Sequence, residues 1–295
     1  MFDKLLSSVW LFNQPHTRLY FLNILSALFI ALIFLKRSSL KESMRALFSK
    51  KIWLHPSAIV DYKFFFFNAL FKVILIGPWV ISSFTISVYV MKTLFWLFPN
   101  YSAPKLDLDY LLIIFTILSF IINDFLRFYM HYLMHMNSFL WRFHKTHHTA
   151  EVLTPISLFR AHPVEVVLAQ FRNALAAGLS AGLFTFLFQK QVGGIDILGV
   201  NIIGFLFNLC GSNLRHSHVW IGFGKLEYLF ISPAQHQIHH GKDKAFYDKN
   251  FGIVLSVWDW LFKTCLLSKD QEVKEFGVEG ESKQTLVAEL TNPFK

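Results

Sequence analysis

Uncharged apolar blocks alternate with shorter polar segments along this chain. Leu19–Leu35 is one such block, closed by Lys36 and Arg37, and reads as a first membrane span. Val73–Met91 is a second, in which Pro78 predicts a kink or a break. The Phe64–Phe67 run either continues that helix or lies in the interface. Tyr110–Asn123 is short for a span, but the helical pattern continues through DFLRFYMHYLMH. A helix over Asp109–Met136 would be ~42 Å long, beyond the ~30 Å hydrocarbon layer, so its polar end would project from the bilayer. Asn173–Gln189 and Ile197–Leu214 are two further runs, and the short QVGGI turn between them predicts a helical hairpin. From Arg215 onward the chain turns polar and His-rich, with an amphipathic stretch near Val254–Leu267 and a charged end after Lys269. No internal repeat is evident.

Composition sharpens this reading. The chain is 54% hydrophobic with 34 Phe and only 16% charged residues, and its mean hydropathy is +0.43. These values predict an integral membrane protein. The formal net charge of +9 comes from bases spread over loops, which fits anionic lipid better than nucleic acid. The segment 36–72 is the most basic and is expected on the cytoplasmic side. One span out and one back then places His131–Arg172 on that side, and a hairpin returns Arg215 to it, even if the hairpin is only re-entrant. The N-terminus has no small-residue cleavage site and reads as a retained helix. Cys210 and Cys265 form no C-x2-C pair, which removes support for a disulfide framework, an iron–sulfur cluster or a thiolate zinc site.

The chemistry lies in the polar segments. HYLMHMNSFLWRFHKTHH holds His131 and His135 as H-x3-H, then His144, His147 and His148 as H-x2-HH. A second H-x2-HH follows as His236, His239 and His240. Positions i, i+3 and i+4 share one helix face, so each box aims its imidazoles in one direction. A lone His is usually a satisfied surface or core residue, but three ordered boxes point to metal. Eight imidazoles exceed what one tetrahedral ion can use, and two ions close together are expected.

In this order the boxes resemble those of the fatty acid hydroxylase superfamily, which includes the sterol desaturases. WRFHKTHHTAE, RAHPVE, NLRHSH, ISPAQHQIHH and NFGIVLSVWDWLF are also similar to that family's blocks, over roughly Asp109–Thr264. The resemblance implies a membrane di-iron oxygenase that uses O2 and two external electrons to hydroxylate or desaturate a lipid C–H bond. It implies that His131, His135, His144, His147, His148, His236, His239 and His240 are metal ligands. It adds a ligand between the second and third boxes, best matched by His216, with His218 a weaker candidate. The implied cofactor is two iron ions, which zinc can replace in isolated protein. No cytochrome b5-like or ferredoxin-like segment is visible, so a separate protein of that kind is the expected electron donor. The expected substrate is a fatty acyl chain, a sterol, an alkylglycerol or another membrane lipid.

The expected fold is all-α, a multi-pass membrane bundle with a cytoplasmic histidine-rich cap carrying the dimetal site. Its expected parts are membrane helices and a basic loop over 1–108, a catalytic domain over 109–268, and a soluble tail over 269–295. Asp124, Glu151, Glu165 and Asp259 are available to balance a cationic site, although each alone reads as an ordinary cap or pair. His162 before Pro163 reads as a structural hydrogen-bonding residue at a helix start, and His16 and His55 as non-ligands. Asn250 fits a turn or a hydrogen bond to a ligand imidazole. Trp141, Trp258 and Trp260 fit interfacial anchors or the lining of an acyl tunnel. Three other readings compete. A zinc hydrolase lacks HExxH, a metal transporter or store would hold its ligands near the bilayer midplane, and haem needs axial pairs.

Overall fold

The computed structural model describes residues 13–15, 17–35, 39–72, 82–190, 196–197, 200–280 and 285–294. His16, Lys36, Arg37, Pro78, the QVGGI turn and the first part of the Val73–Met91 run lie outside them. The regular structure of the described residues is helical apart from one two-residue antiparallel ladder, Asp196–Ile197 with Val200–Asn201, and isolated bridges. The all-α expectation is borne out.

The main helices are α1 (Phe21–Leu35), α2 (Leu40–Leu47), α3 (Pro56–Phe71), α4 (Ser83–Leu97), α5 (Leu108–Met136), α6 (Ser138–His148), α7 (Pro163–Phe188), α8 (Ile202–Leu209), α9 (Pro233–His239), α10 (Val257–Leu261) and α11 (Leu286–Thr291). Among the described residues, α5 and α7 are long and apolar enough to cross a membrane. α5 matches the helix expected over Asp109–Met136. α7 begins ten residues before the Asn173–Gln189 run, because Pro163 at its first position and the His162 side chain on the Val164 amide start the helix there. Its first turns carry Glu165, Gln170 and Arg172, so no hydropathy run reveals them.

The Ile197–Leu214 run is not a spanning helix. It divides into the ladder, the eight-residue α8 and a 3-10 turn over Ser212–Arg215. At 1.5 Å per residue α8 covers only ~12 Å. Asn201 turns the chain into it, accepting from the Ile203 amide while its own amide reaches Thr116 O on α5. The amphipathic stretch near Val254–Leu267 contains only the five-residue α10.

Small residues let α4 and α7 meet closely. A Cβ on Gly178 would lie 2.5 Å from Ile86 Cβ, and one on Gly182 would lie 2.7 Å from Ser87 O. Such approach of small-residue faces is how helices pack where lipid removes the hydrophobic drive. α7 also packs on α5, with Phe115 edge-on to Phe184 at 5.0 Å. α5 and α7 are antiparallel, so the C-terminal end of one and the N-terminal end of the other meet at the same place. The histidines gather there.

The chain after Ser268, expected as a separate tail, returns to that end. α11 buries Glu289 against Arg160 and Thr149, and Phe294 packs on Phe143.

Candidate metal centre

Each box is held by a different local device. α5 carries His131 and His135 one turn apart at its polar end. Asn137 breaks the helix in extended geometry and caps α6 through its side chain, accepting from the Phe139 and Leu140 amides at 3.0 and 3.1 Å. That one-residue break folds α6 back, so His144 and His148 face His135. α9 starts with Pro233 and a reciprocal capping box between Ser232 and Gln235. It is buried along its whole length and presents His236 and His239, with His240 following. His216 ends the Ser212–Arg215 turn. Gln237 holds that turn from the third box by donating to Val219 O at 2.9 Å and Leu214 O at 3.3 Å.

The side chains meet as two adjoining groups. Ligand nitrogens of His131, His135, His144, His148 and His239 all lie within 4.8 Å of one another. Those of His147, His216, His236 and His240 do the same. His148 and His240 stack with ring centroids 4.5 Å apart, so the groups share a wall. The nine histidines expected from the sequence are therefore brought together. His218 is not among them: it is half-buried and hydrogen-bonds to the Ala46 backbone.

Hydrogen bonding decides which nitrogen each ring offers. A carbonyl oxygen can only accept, so an imidazole nitrogen beside one must carry the proton. His131 Nδ1 lies 2.9 Å from Phe251 O, His147 Nδ1 3.1 Å from Arg160 O, and His239 Nδ1 2.7 Å from Lys249 O. His144 Nδ1 lies 3.2 Å from Glu165 Oε1. The rings of His131, His147 and His239 thus turn a bare Nε2 inward, whereas His144 faces Glu165 in a charge contact without hydrogen-bond geometry. Burial also favours the neutral form. It pushes His144 down to about 3 and His147 down to about 4. Burial first, and then the neighbouring histidines, hold His148, His216, His236, His239 and His240 well below the usual range. All are neutral near pH 7, the state in which imidazole ligates.

The set fits metal. Nε2 of His144, of His239 and of His240 is buried without a hydrogen-bond partner, which buried polar atoms rarely tolerate. His135 and His148 face each other Nε2 to Nε2 at 3.1 Å, His216 and His236 at 3.1 Å, and His216 and His147 at 3.3 Å. Two nitrogens bound to one ion at roughly 2.1 Å sit about 3 Å apart, and a pair across the ion about 4.2 Å apart. Five and four ligands in adjoining groups suit two ions.

The supporting residues differ partly from those expected. Glu165 faces His144. Asp259 accepts from the Phe251 and Gly252 amides at 2.8 Å each, which fixes the carbonyl that His131 uses. Asp124 accepts from the Val254 and Leu255 amides and from Trp258 Nε1. Glu151 is exposed and turned away. Asn250 touches no imidazole; it adopts φ 58° and pairs with the Leu266 backbone and Gln235 O. His55 and His162 cap helices through Nδ1. Trp141 packs on His135 and His148 at 4.9 and 5.4 Å, while Trp260 is exposed. Sequence reasoning missed Asp61 and Glu289, which bracket the fully buried Arg160 guanidinium at 3.0 Å each, and Asp248, 3.6 Å from His135 Nδ1.

Two cavities flank the centre. One of about 380 Å³ opens directly onto His135, His148 and His239 beside Trp141 and Tyr247. The other, of about 870 Å³, lies between α4, α5, α7 and α8 and has no histidine in its lining. The smaller one touches the chemistry. The larger has the room and the position for a lipid chain.

Comparison with known proteins agrees with this geometry. Residues 116–264, half of the chain, match the fatty acid hydroxylase family. The chain belongs to the fatty acid hydroxylase family. Similar members include an ornithine lipid hydroxylase of Rhizobium tropici, 29% identical over 183 residues, which are 61% of this chain and 50% of that protein. Homo sapiens alkylglycerol monooxygenase is 26% identical over 142 residues, 48% of this chain and 28% of the relative. A very-long-chain aldehyde decarbonylase of Arabidopsis thaliana is 26% identical over 150 residues, 50% of this chain and 22% of the relative. The chain thus spans half or less of the length of these relatives. No solved structure matches. The family match encloses the first two histidine boxes, His216 and the third box.

Proposed function

We propose that this member of the fatty acid hydroxylase family is a membrane di-iron monooxygenase that inserts one oxygen atom of O2 into a C–H bond of a membrane lipid. One observation carries the reading: nine imidazoles, eight of them on buried residues and His135 half-buried, form two adjoining groups at the shared end of two membrane-length helices. In the first group His131, His135, His144, His148 and His239 would hold one iron. In the second His147, His216, His236 and His240 would hold the other. When bound, the pair supplies the O2 chemistry that amino-acid side chains lack. The net reaction takes O2, two electrons and two protons, and gives an alcohol and water.

The chain's own residues do the positioning. Phe251, Arg160 and Lys249 carbonyls hold three rings in one tautomer, and the Glu165 carboxyl lies beside a fourth, His144. Trp141 walls the first group, and the half-open cavity beside it gives small molecules a way in. The larger cavity would take the lipid chain. A separate electron donor and a cytoplasmic placement of the histidine end complete the proposal. The named hydroxylase and monooxygenase relatives favour oxygen insertion over desaturation.

The test is direct. Iron-loaded protein with O2, a reductant and a lipid extract should yield a product heavier by one oxygen atom, and the added atom should come from labelled O2. A product lighter by two hydrogens would replace hydroxylation with desaturation. A cleaved product whose new oxygen comes only from water would replace oxygenation with hydrolysis.

A further inference from the structure

The larger cavity is not uniformly apolar. Along the antiparallel α5 and α7, its end far from the histidines is lined by Phe115, Phe184 and Met91, with Thr185 and with Asn201, whose amide is already bonded to Thr116 O and Ser119 Oγ. Its near end carries Asn123, Arg127, Asn208 and Arg215. Arg18, Arg127 and Arg215 line it against one acid, Asp124, which is the electrostatic partner of Arg127 and also accepts from two backbone amides and Trp258. The cavity is therefore cationic at the end next to the metal centre.

Arg215 is the decisive residue. It is 1% exposed, and among the described residues no carboxylate pairs with it. Its Nε donates to Ser212 O at 3.3 Å, its Nη1 donates to Ile253 O at 2.6 Å, and its guanidinium sits 5.4 Å from the Phe207 ring centroid. Its Nη2 is buried with no partner. A buried cation without a counter-ion is costly, and an orphaned N–H on it more so. An incoming oxyanion relieves both, and guanidinium presents the donor geometry that phosphate and carboxylate match.

We infer that Arg215, with Arg127 and the side-chain amides of Asn123 and Asn208, forms a headgroup subsite that binds the oxyanion of a lipid whose chain fills the apolar end of the same cavity. The substrate class is then a lipid with a phosphate or carboxylate close to its chain, held with its charged end toward the metal centre. This rests on the lipid-oxygenase reading only in taking the ligand to be a lipid.

Binding tests it without turnover, so the two readings can fail separately. Purified protein in neutral detergent is titrated with 1-oleoyl lysophosphatidate, with 1-oleoylglycerol, which has the same chain without the phosphate, and with inorganic phosphate. Bound ligand is counted by native mass spectrometry. Wild type should hold the lysophosphatidate about tenfold or more tighter than the oleoylglycerol, the size expected for hydrogen bonds to a charged group. Arg215→Gln should bring the two within about twofold while leaving oleoylglycerol affinity unchanged, and Arg215→Lys should keep part of the preference. Arg127→Gln, on a different element, should reduce the preference too, and it carries the test if Arg215→Gln does not fold. Equal binding of both lipids by wild type would overturn the proposal. So would a preference untouched in folded Arg215→Gln or Arg127→Gln, or inorganic phosphate binding as tightly as the lysophosphatidate.

Discussion

An imidazole ligates only through an unprotonated nitrogen, and this chain secures that state in two ways. Burial keeps the rings neutral, and an acceptor on Nδ1 leaves Nε2 bare. Replacing His147 or His239 with Ala should therefore cost metal content and activity together, while His218→Ala should keep both, since His218 lies outside the groups. Elemental analysis of monodisperse protein reads this, and a fully metallated His147→Ala variant would remove it from the ligand set. Glu165→Gln keeps the shape but weakens the hold on His144, so metal affinity should fall by ~10–100-fold. The pH response follows from the same burial. An unfolded His titrates near the ordinary 6.5, whereas His147 and His144 titrate at about 4 and about 3 in the fold. Above 6.5 neither state takes protons. Between about 6.5 and 4 the unfolded chain gains protons that the fold refuses, so the metal-free protein should lose stability steadily as pH falls through that window, and no further once the folded rings also protonate. Thermal melts across pH read this slope. Folded protein should also retain its metal at pH 5.5, and release with a midpoint near 6.5 would contradict the burial argument. The spacing of the boxes made these histidines legible in the sequence, because three and four residues is one helix turn. The carbonyls of Phe251, Arg160 and Lys249 were not legible, because a backbone acceptor has no side-chain signature. Asp248 was missed because only the folding of the 241–250 loop brings it to His135.

At the scale of elements, what was legible depended on whether apolar length alone decides the helix. α5 was, since its hydrophobic pattern runs unbroken into the first box. α7 was read ten residues short, because a cap and a proline start it among polar residues. The Ile197–Leu214 run reads as one arm of a helical hairpin, spanning or re-entrant, because composition does not register the Asn201 cap or the left-handed Gly211 that ends the short helix. The α4–α7 contact depends on size rather than polarity. Gly182→Leu should drive a side chain into Ser87 and Val90 and destabilise by about 1–3 kcal/mol or more. Gly204→Ala, with nothing within 4 Å, should leave the melting temperature in detergent unchanged or slightly raised. Equal melting of the two variants would argue against close packing of α4 on α7. The α11 segment makes a second test. Glu289 completes the buried bracket around Arg160, whose carbonyl orients His147. Glu289→Ala leaves Arg160 paired with Asp61, so it should cost less than the ~3–5 kcal/mol of an uncompensated buried charge, and it should loosen metal at the second group more than at the first.

For the molecule as a whole, the arrangement makes one side of the membrane chemically distinct. α5 is 29 residues, ~43 Å at 1.5 Å per residue, enough to separate the loop before it from the histidines at its other end. Lys105 lies just before α5, whereas Lys145 sits inside the second box and Lys242 follows the third. Arg142, Lys145, Lys242, Lys244 and Lys249 cluster in sequence around the boxes, and basic loops favour the cytoplasmic side. Single cysteines at positions 105, 145 and 242, in a chain with Cys210 and Cys265 replaced by Ala, should therefore divide into two classes. A membrane-impermeant maleimide added to intact cells should label position 105 and spare 145 and 242. Permeabilisation should then expose the latter two. Labelling of 145 and 242 from outside, with 105 protected, would reverse the orientation, keep the shared centre and move the electron donor to the other compartment. Labels at 145 and 242 on opposite sides would separate the second box from the third, and the two groups of imidazoles could not then form one site.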